Sequence, residues 1–320
     1  MLSSHGSIDA STFSPFEARR LLSPASLKTL NQRSNAAGWW QLIRHLAVMG
    51  GSGFLWLTQM GEHWAIALPA LLIYGTSLAT MFAPLHECAH RTAFTGDRLN
   101  DAVAWFAGLL SFYNSTFYRR YHKWHHRYTQ ISGKDPELGD PKPQTWGQYL
   151  RELSGLPWWV GKVRGHFRVA TGNLDDCPYI ADSARAEVIR STRWQLAVYA
   201  GAIALSLAAG SPAFWLGWVL PLAVGQPVLR FILLAEHGGC SKTDNPLTNT
   251  RTTLTLWPIQ FLMWNMPYHT EHHLYPSIPF HRLAAAHQKL QPYLGHIDQG
   301  YLAVNRQLVA GFEAPSEAVS

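Results

Sequence analysis

Two long stretches of this chain carry no charge. Between Glu62 and Glu87 there are 24 residues without Asp, Glu, Lys or Arg, and between Arg193 and Arg230 there are 36. A bilayer core about 30 Å thick takes about 20 apolar helical residues to cross. The pattern predicts spans over residues 64–85, 194–209 and 214–235, with Gly210, Ser211 and Pro212 breaking the last two apart. A shorter, Gly-rich span is expected over residues 46–60, inside a charge-free stretch of 17. Residues 102–118 are also uncharged and rich in aromatics. A crossing there would put the histidines on its two sides in opposite compartments, so this stretch is read as buried against other helices or lying in the interface. The predicted fold class is all-α: a polytopic membrane protein with four transmembrane helices in two hairpins and a helical cytoplasmic cap.

Three segments follow from this reading. Residues 1–40 form an N-terminal cytoplasmic or interfacial segment, with 19–30 as a candidate surface helix. The membrane domain covers 41–292, and 293–320 are a C-terminal tail. Charged residues make up only 14% of the 320, against roughly 25% in ordinary soluble domains, which argues against a soluble enzyme. No basic start, short apolar run and cleavage site of a signal peptide are found, so insertion is expected to depend on the first internal span.

Charge then sets the expected orientation. Of 26 Lys and Arg, 5 lie in 1–44, 15 in 84–193 and 6 from Arg230 onward, while the turns at 61–63 and 210–212 have none. The positive-inside rule puts both termini and the central loop in the cytoplasm, in a bacterial inner membrane. The net charge of +6 follows no nucleic-acid-binding motif, so no nucleic-acid partner is expected. Cys88, Cys177 and Cys240 cannot all pair, consistent with reduced thiols.

The candidate chemistry lies in the histidines. His86 and His90 form HxxxH, and His122-His125-His126 and His269-His272-His273 are two HxxHH boxes; His237 stands alone after the fourth predicted span. On a helix, positions i, i+3 and i+4 share a face, so each box can aim its rings at one point. All nine fall on the predicted cytoplasmic side. Nine imidazoles exceed the four ligands of a zinc ion and suit two ions of higher coordination, with iron a good match. Glu87, Asp97, Asp101, Asp135, Glu137, Glu236 and Glu271 are candidates to hold the second ring nitrogens. His5, His45, His63, His166, His281, His287 and His296 have no such companions and are read as ordinary histidines.

The three boxes, the order of spans, and residues 264–283 (WNMPYHTEHHLYPSIPFHRL) resemble the membrane fatty acid desaturase superfamily, in particular bacterial fatty acid desaturase-like chains. The resemblance takes in His90-Arg-Thr-Ala-Phe94, Asp135-Pro-Glu137 and Asn249-Thr-Arg-Thr-Thr253. It implies a non-haem di-iron centre held by His86, His90, His122, His125, His126, His237, His269, His272 and His273, with O2 as oxidant. It also implies a lipid or fatty acyl substrate and a small electron donor, ferredoxin-like or similar. Animal acyl-CoA members carry HxxxxH in the first box and an Asn one turn before the lone His. Here the box is HxxxH and that position is Leu233, which argues against an acyl-CoA substrate.

The expected reaction is insertion of a double bond into a lipid-linked acyl chain. A hydroxylase or ketolase of a carotenoid or other lipid is the alternative on the same scaffold. A remoter one is an intramembrane zinc protease using His86-Glu87-Cys-Ala-His90 as HExxH. Trp105, Phe112, Tyr113, Trp257 and Trp264 are candidates to line an apolar substrate path.

Overall fold

The computed structural model describes residues 9–139 and 141–312; His5 and the outermost parts of both terminal segments lie outside them. The chain is mostly helical, with one two-stranded parallel sheet among the described residues. In chain order the helices are α1 (Pro15–Ala18), α2 (Pro24–Leu30), α3 (Asn35–Gln59), α4 (Trp64–Ala79), α5 (Phe82–Ala89), α6 (Asp97–Ser111), α7 (Ser115–Tyr128), α8 (Trp146–Leu153), α9 (Leu156–Ala170) and α10 (Asp182–Ala208). They continue with α11 (Leu220–His237), α12 (Trp257–Leu262), α13 (His269–Leu274), α14 (Leu283–Leu290) and α15 (Tyr301–Ala310).

Two helical stretches are long and apolar enough to cross a membrane: Trp64–Ala89, which joins α4 to α5, and Trp215–His237, a π-helical turn followed by α11. Helices α3 and α10 have 25 and 27 residues, enough for a bilayer by length, but polar residues interrupt both. In α10 the interruption is Asp182, Arg185, Glu187, Arg190 and Arg193; in α3 it is Gln41, Arg44 and His45. Helix α3 starts well before the predicted residue 46 because Ser34 caps it, accepting from the Ala37 N–H at 3.2 Å. Its polar residues then find partners inside the protein: Gln41 donates to the Phe261 carbonyl at 2.7 Å, and His45 Nε2 to that of Ser77 at 2.8 Å. Outside, Trp40, Phe54, Leu68, Trp194 and Leu205 are exposed. An apolar surface spread over three helices marks an interaction face, for a membrane or for another protein.

The centre of the molecule is the crossing of α4 and α11. A Cβ placed on Gly225 would lie 1.9 Å from the Gly75 carbonyl oxygen, and one on Gly75 would lie 2.3 Å from that of Pro221. The two backbones therefore touch, which only small residues allow. Helix α11 packs mainly on α4, from the other predicted hairpin, while α10 leans on α9 and α7.

The uncharged stretch 102–118 is not one helix. It breaks between α6 and α7 at Phe112, whose φ of 61° is left-handed. Phe112 is held there by Trp159 (5.4 Å between ring centroids), Tyr199 (5.4 Å), Trp218 (5.6 Å) and the stacked ring of His166 (4.6 Å). Asn114 then caps α7 and donates to Gln195 on α10 at 3.1 Å. The segment is largely buried, one of the two placements the sequence allows, and turns the second histidine box back under the first.

Strands β1 (Thr252–Leu254) and β2 (Ile297–Gln299) pair in parallel, with Thr252 opposite Ile297. Arg251, next to β1, donates to the carbonyls of Ala235 (2.7 Å) and Gly238 (2.6 Å), closing the end of α11, and pairs with Asp298 at 2.7 Å. A cation on the last carbonyls of a helix satisfies groups that have no partner within it.

Gly225→Leu should force the α4–α11 crossing apart, at a cost on the order of 3 kcal/mol or more. Size-exclusion profiles and thermal melts of the detergent-purified variant measure it. A wild-type melting temperature would refute the crossing.

Candidate metal centre

Four separate segments deliver the nine histidines. Helix α5 supplies His86 and is capped by His90; α7 supplies His122, His125 and His126; His237 is the last residue of α11; α13 supplies the third box. The structure brings all nine together. His86, His90, His122, His126 and His272 place candidate ligand atoms within 4.8 Å of one another, and so do His125, His237 and His273. His269 joins the second group, its Nε2 lying 3.2 Å from the Nε2 of both His237 and His273. The groups adjoin where His126 stacks on His273 at 4.2 Å.

Hydrogen bonding among the rings does not explain this geometry. His126 Nε2 faces two other Nε2 atoms, His122 at 3.0 Å and His272 at 3.1 Å, and one ring nitrogen holds either one hydrogen or one lone pair. Both nitrogens of His86, Nε2 of His90, and Nδ1 of His122, His126 and His269 are buried without partners. Each such group costs about 1–3 kcal/mol. Converging imidazoles with unused lone pairs are a donor set for a divalent transition metal, so the residues fit a metal centre. Burial, then the neighbouring imidazoles, hold His122, His126, His269 and His273 well below the usual histidine pKa. They are kept neutral, as ligands must be.

The second ring nitrogens are held unevenly. His125 Nδ1 bonds Asp135 at 2.9 Å, and Asp135 also accepts the N–H groups of Gln130 (2.8 Å) and Glu137 (3.0 Å). Burial alone would lower the His125 pKa; Glu137 and Asp135 overcome it and raise it. His237 Nδ1 donates to the Asn249 carbonyl at 3.1 Å, and His273 Nδ1 meets the Thr129 hydroxyl at 3.2 Å. Each contact leaves Nε2 turned inward. Glu236 lies 3.5 Å from His269 Nε2.

The other candidate carboxylates are engaged elsewhere. Asp97 and Asp101 bind Arg91, and Asp101 also binds Arg119. Glu87 accepts the Phe280 N–H at 3.0 Å, so the general base of an HExxH protease is tied to a backbone amide. Glu271, fully buried, accepts from Thr252 of β1 and from His287 of α14. His287 is therefore not the ordinary histidine expected: it fastens the third box. No local pattern reveals it, because its partner is 16 residues away. His45 and His166 do behave as core residues, bonding the carbonyls of Ser77 and Lys162. Of the aromatic candidates for a substrate path, Tyr113 connects to the histidine rings through Phe82 and Tyr118, whereas Trp257 is exposed.

The sequence profile of the fatty acid desaturase family matches residues 62–305, which includes all nine clustered histidines. The chain belongs to that family and is a fatty acid desaturase enzyme. It is 24% identical over 253 residues to an sn-1 oleoyl-lipid 12-desaturase from Picosynechococcus, covering 72% of this chain and 71% of that one. A dihydrorhizobitoxine desaturase from Bradyrhizobium elkanii is 28% identical, covering 75% and 70%. A human sphingolipid delta(4)-desaturase/C4-monooxygenase is 26% identical, covering 81% and 74%.

Asp135→Ala should free the His125 ring and weaken metal binding about 10–100-fold. Metal titration of the apo-protein reads this directly; unchanged affinity would refute the role of Asp135.

Proposed function

We propose that this protein is a membrane di-iron oxygenase that introduces a double bond into a fatty acyl chain carried by a lipid, consuming O2 and two electrons. The observation that carries the reading is the pair of adjoining imidazole groups, in a chain of the desaturase family. His86, His90, His122, His126 and His272 hold one iron; His125, His237, His269 and His273 hold the other. An unactivated methylene has no acidity for a side chain to exploit, so hydrogen removal belongs to the cofactor. Iron, when bound, supplies with O2 the oxidising power to take hydrogens from two adjacent carbons. The protein's own part is orientation and exclusion of water. Asp135, the Asn249 carbonyl and Thr129 hold three rings in register, and Phe82 and Tyr118 wall the site with apolar surface.

Four helices cross the bilayer in this reading: α3, α4 with α5, α10, and α11 with its π-helical turn. The turns at 61–63 and 210–212 face outward, and the termini and the histidines face the cytoplasm. A small acidic donor of the ferredoxin type docks on the basic cytoplasmic face by electrostatic steering. Labelling of intact cells should modify a cysteine introduced at Ser211 and spare one at Ser277. Labelling at position 277 would overturn the orientation.

Hydroxylation is the second reading, favoured by the monooxygenase named in the human relative. Deuterated saturated acyl chains fed to cells that express the protein with a donor separate the two. Loss of two deuteriums is the expected outcome. Loss of one with gain of one oxygen from labelled O2 would make the enzyme a hydroxylase, and altered carotenoids with unchanged acyl chains would refute both acyl readings.

A further inference from the structure

Beside the histidines lies a second cluster, which the metal centre does not use. The Lys162 ammonium on α9 sits 3.5 Å from the centre of the Tyr113 ring. Arg230 on α11 donates to the Tyr113 hydroxyl at 3.2 Å, and Trp158 donates to it at 3.0 Å. Two cations thus meet on one tyrosine, Lys162 over its ring and Arg230 at its hydroxyl. Among the described residues no carboxylate forms an ion pair with either. Arg230 Nε is buried without a partner. One turn earlier on the same face, Gln226 is fully buried with both amide atoms unpartnered.

Cation–π contacts with Tyr113 and Trp158 are worth about 0.5–2 kcal/mol each. They neither neutralise the two charges nor use the Arg230 Nε and the Gln226 amide. Both side chains are half-buried, and a partly desolvated charge is costly unless an opposite charge answers it. Burial, and then Arg230, push the Lys162 pKa down to about 7 against the opposing pull of the more distant Glu137, as expected for a cation with no paired anion.

The location gives the cluster its meaning. Toward the interior, Tyr113 packs on Phe82 (5.0 Å) and Tyr118 (5.8 Å); these rings in turn contact His86 (6.1 Å) and His122 (5.0 Å). Toward the outside, α9 exposes Leu156, Val160, Val163 and Phe167. They form one helical stripe, as on a helix lying in the membrane surface. The cluster therefore sits between headgroup depth and the histidines, with aromatic rings leading inward.

We propose that Lys162, Arg230 and Gln226 bind the anionic head of the acyl substrate, a carboxylate or a phosphate, and that the chain runs from there along Phe82 and Tyr118 to the histidines. The proposal rests on the acyl-chain reading above and narrows it to substrates with a charged head. It also means that the position of oxidation is counted from the head of the chain and not from its methyl end.

Binding to the purified iron-loaded protein in detergent tests this without turnover. The probes are palmitate, hexadecyl phosphate and uncharged methyl palmitate, followed by tryptophan fluorescence. The wild type should bind at least one anionic probe at least tenfold more tightly than the ester. Preference for hexadecyl phosphate identifies a phosphate head, as a lipid-linked chain offers; preference for palmitate identifies a free carboxylate and replaces the lipid-carried chain of the reading above with a free fatty acid. Either supports the site. Lys162→Gln and Arg230→Gln should each abolish the preference, leave ester binding unchanged, and hold or raise the melting temperature, because an unanswered charge is gone. Lys162→Arg should keep the preference even if the neutral variants fold poorly. Equal wild-type affinity for all three probes, or a lowered melting temperature with the preference intact, would overturn the proposal. Anion-selective binding by a protein that never alters an acyl chain would leave the head site standing and refute the acyl-chain reading.

Discussion

Backbone contact between α4 and α11 at Gly75 and Gly225 is the constraint from which the rest of the architecture follows. Inside a bilayer no hydrophobic force draws helices together, since lipid is as apolar as leucine. Close packing must do that work, and two glycines allow it. The crossing fixes where α5 begins and where α11 ends, which sets His86, His90 and His237 at one level. Arg251 then ties the end of α11 to β1, and β1 holds Glu271 of the third box through Thr252. A contact between the two apolar helices is thus carried, bond by bond, to the histidines.

The two imidazole groups are built differently. In the group of His125, His237, His269 and His273, three rings are held from behind by a carboxylate, a carbonyl or a hydroxyl, and only Nδ1 of His269 is without a partner. In the other group, Nδ1 of His86, His122 and His126 has no such partner. The first group is positioned by loops that follow the second box and α11. The second is positioned by ring packing, with His86 against His122 at 4.3 Å and His272 at 4.5 Å. Fixing one group mainly by hydrogen bonds and the other by contact places two imidazole clusters side by side while leaving their environments unequal.

The histidines were legible because helical spacing is local: HxxxH and HxxHH announce rings on one face before any tertiary contact is known. The charge-free runs likewise exposed α4 and α11. The start of α3 was hidden, because Gln41 and His45 look too polar for a buried helix until Phe261 and Ser77 are seen to receive them. His287 and the Lys162–Arg230 pair were hidden for the same reason. Their partners are brought in by folding from distant parts of the chain, and nothing near them in sequence marks the encounter. Of seven carboxylates proposed to hold histidines, spacing could not single out Asp135 from Asp97 or Asp101, which turn to arginines instead.

The break at Phe112 bears on the order in which the protein can be made. Every ring that holds it (Trp158, Trp159, His166, Tyr199 and Trp218) lies later in the chain. When residues 102–118 leave the ribosome, they are an apolar segment with nothing yet to pack against. The break can be locked only after α9, α10 and the π-helical turn before α11 have been synthesised. Until then the second histidine box has no fixed place relative to the first. Maturation of the site is therefore late: the helices of the second half must be laid down before the chemistry of the first can be assembled.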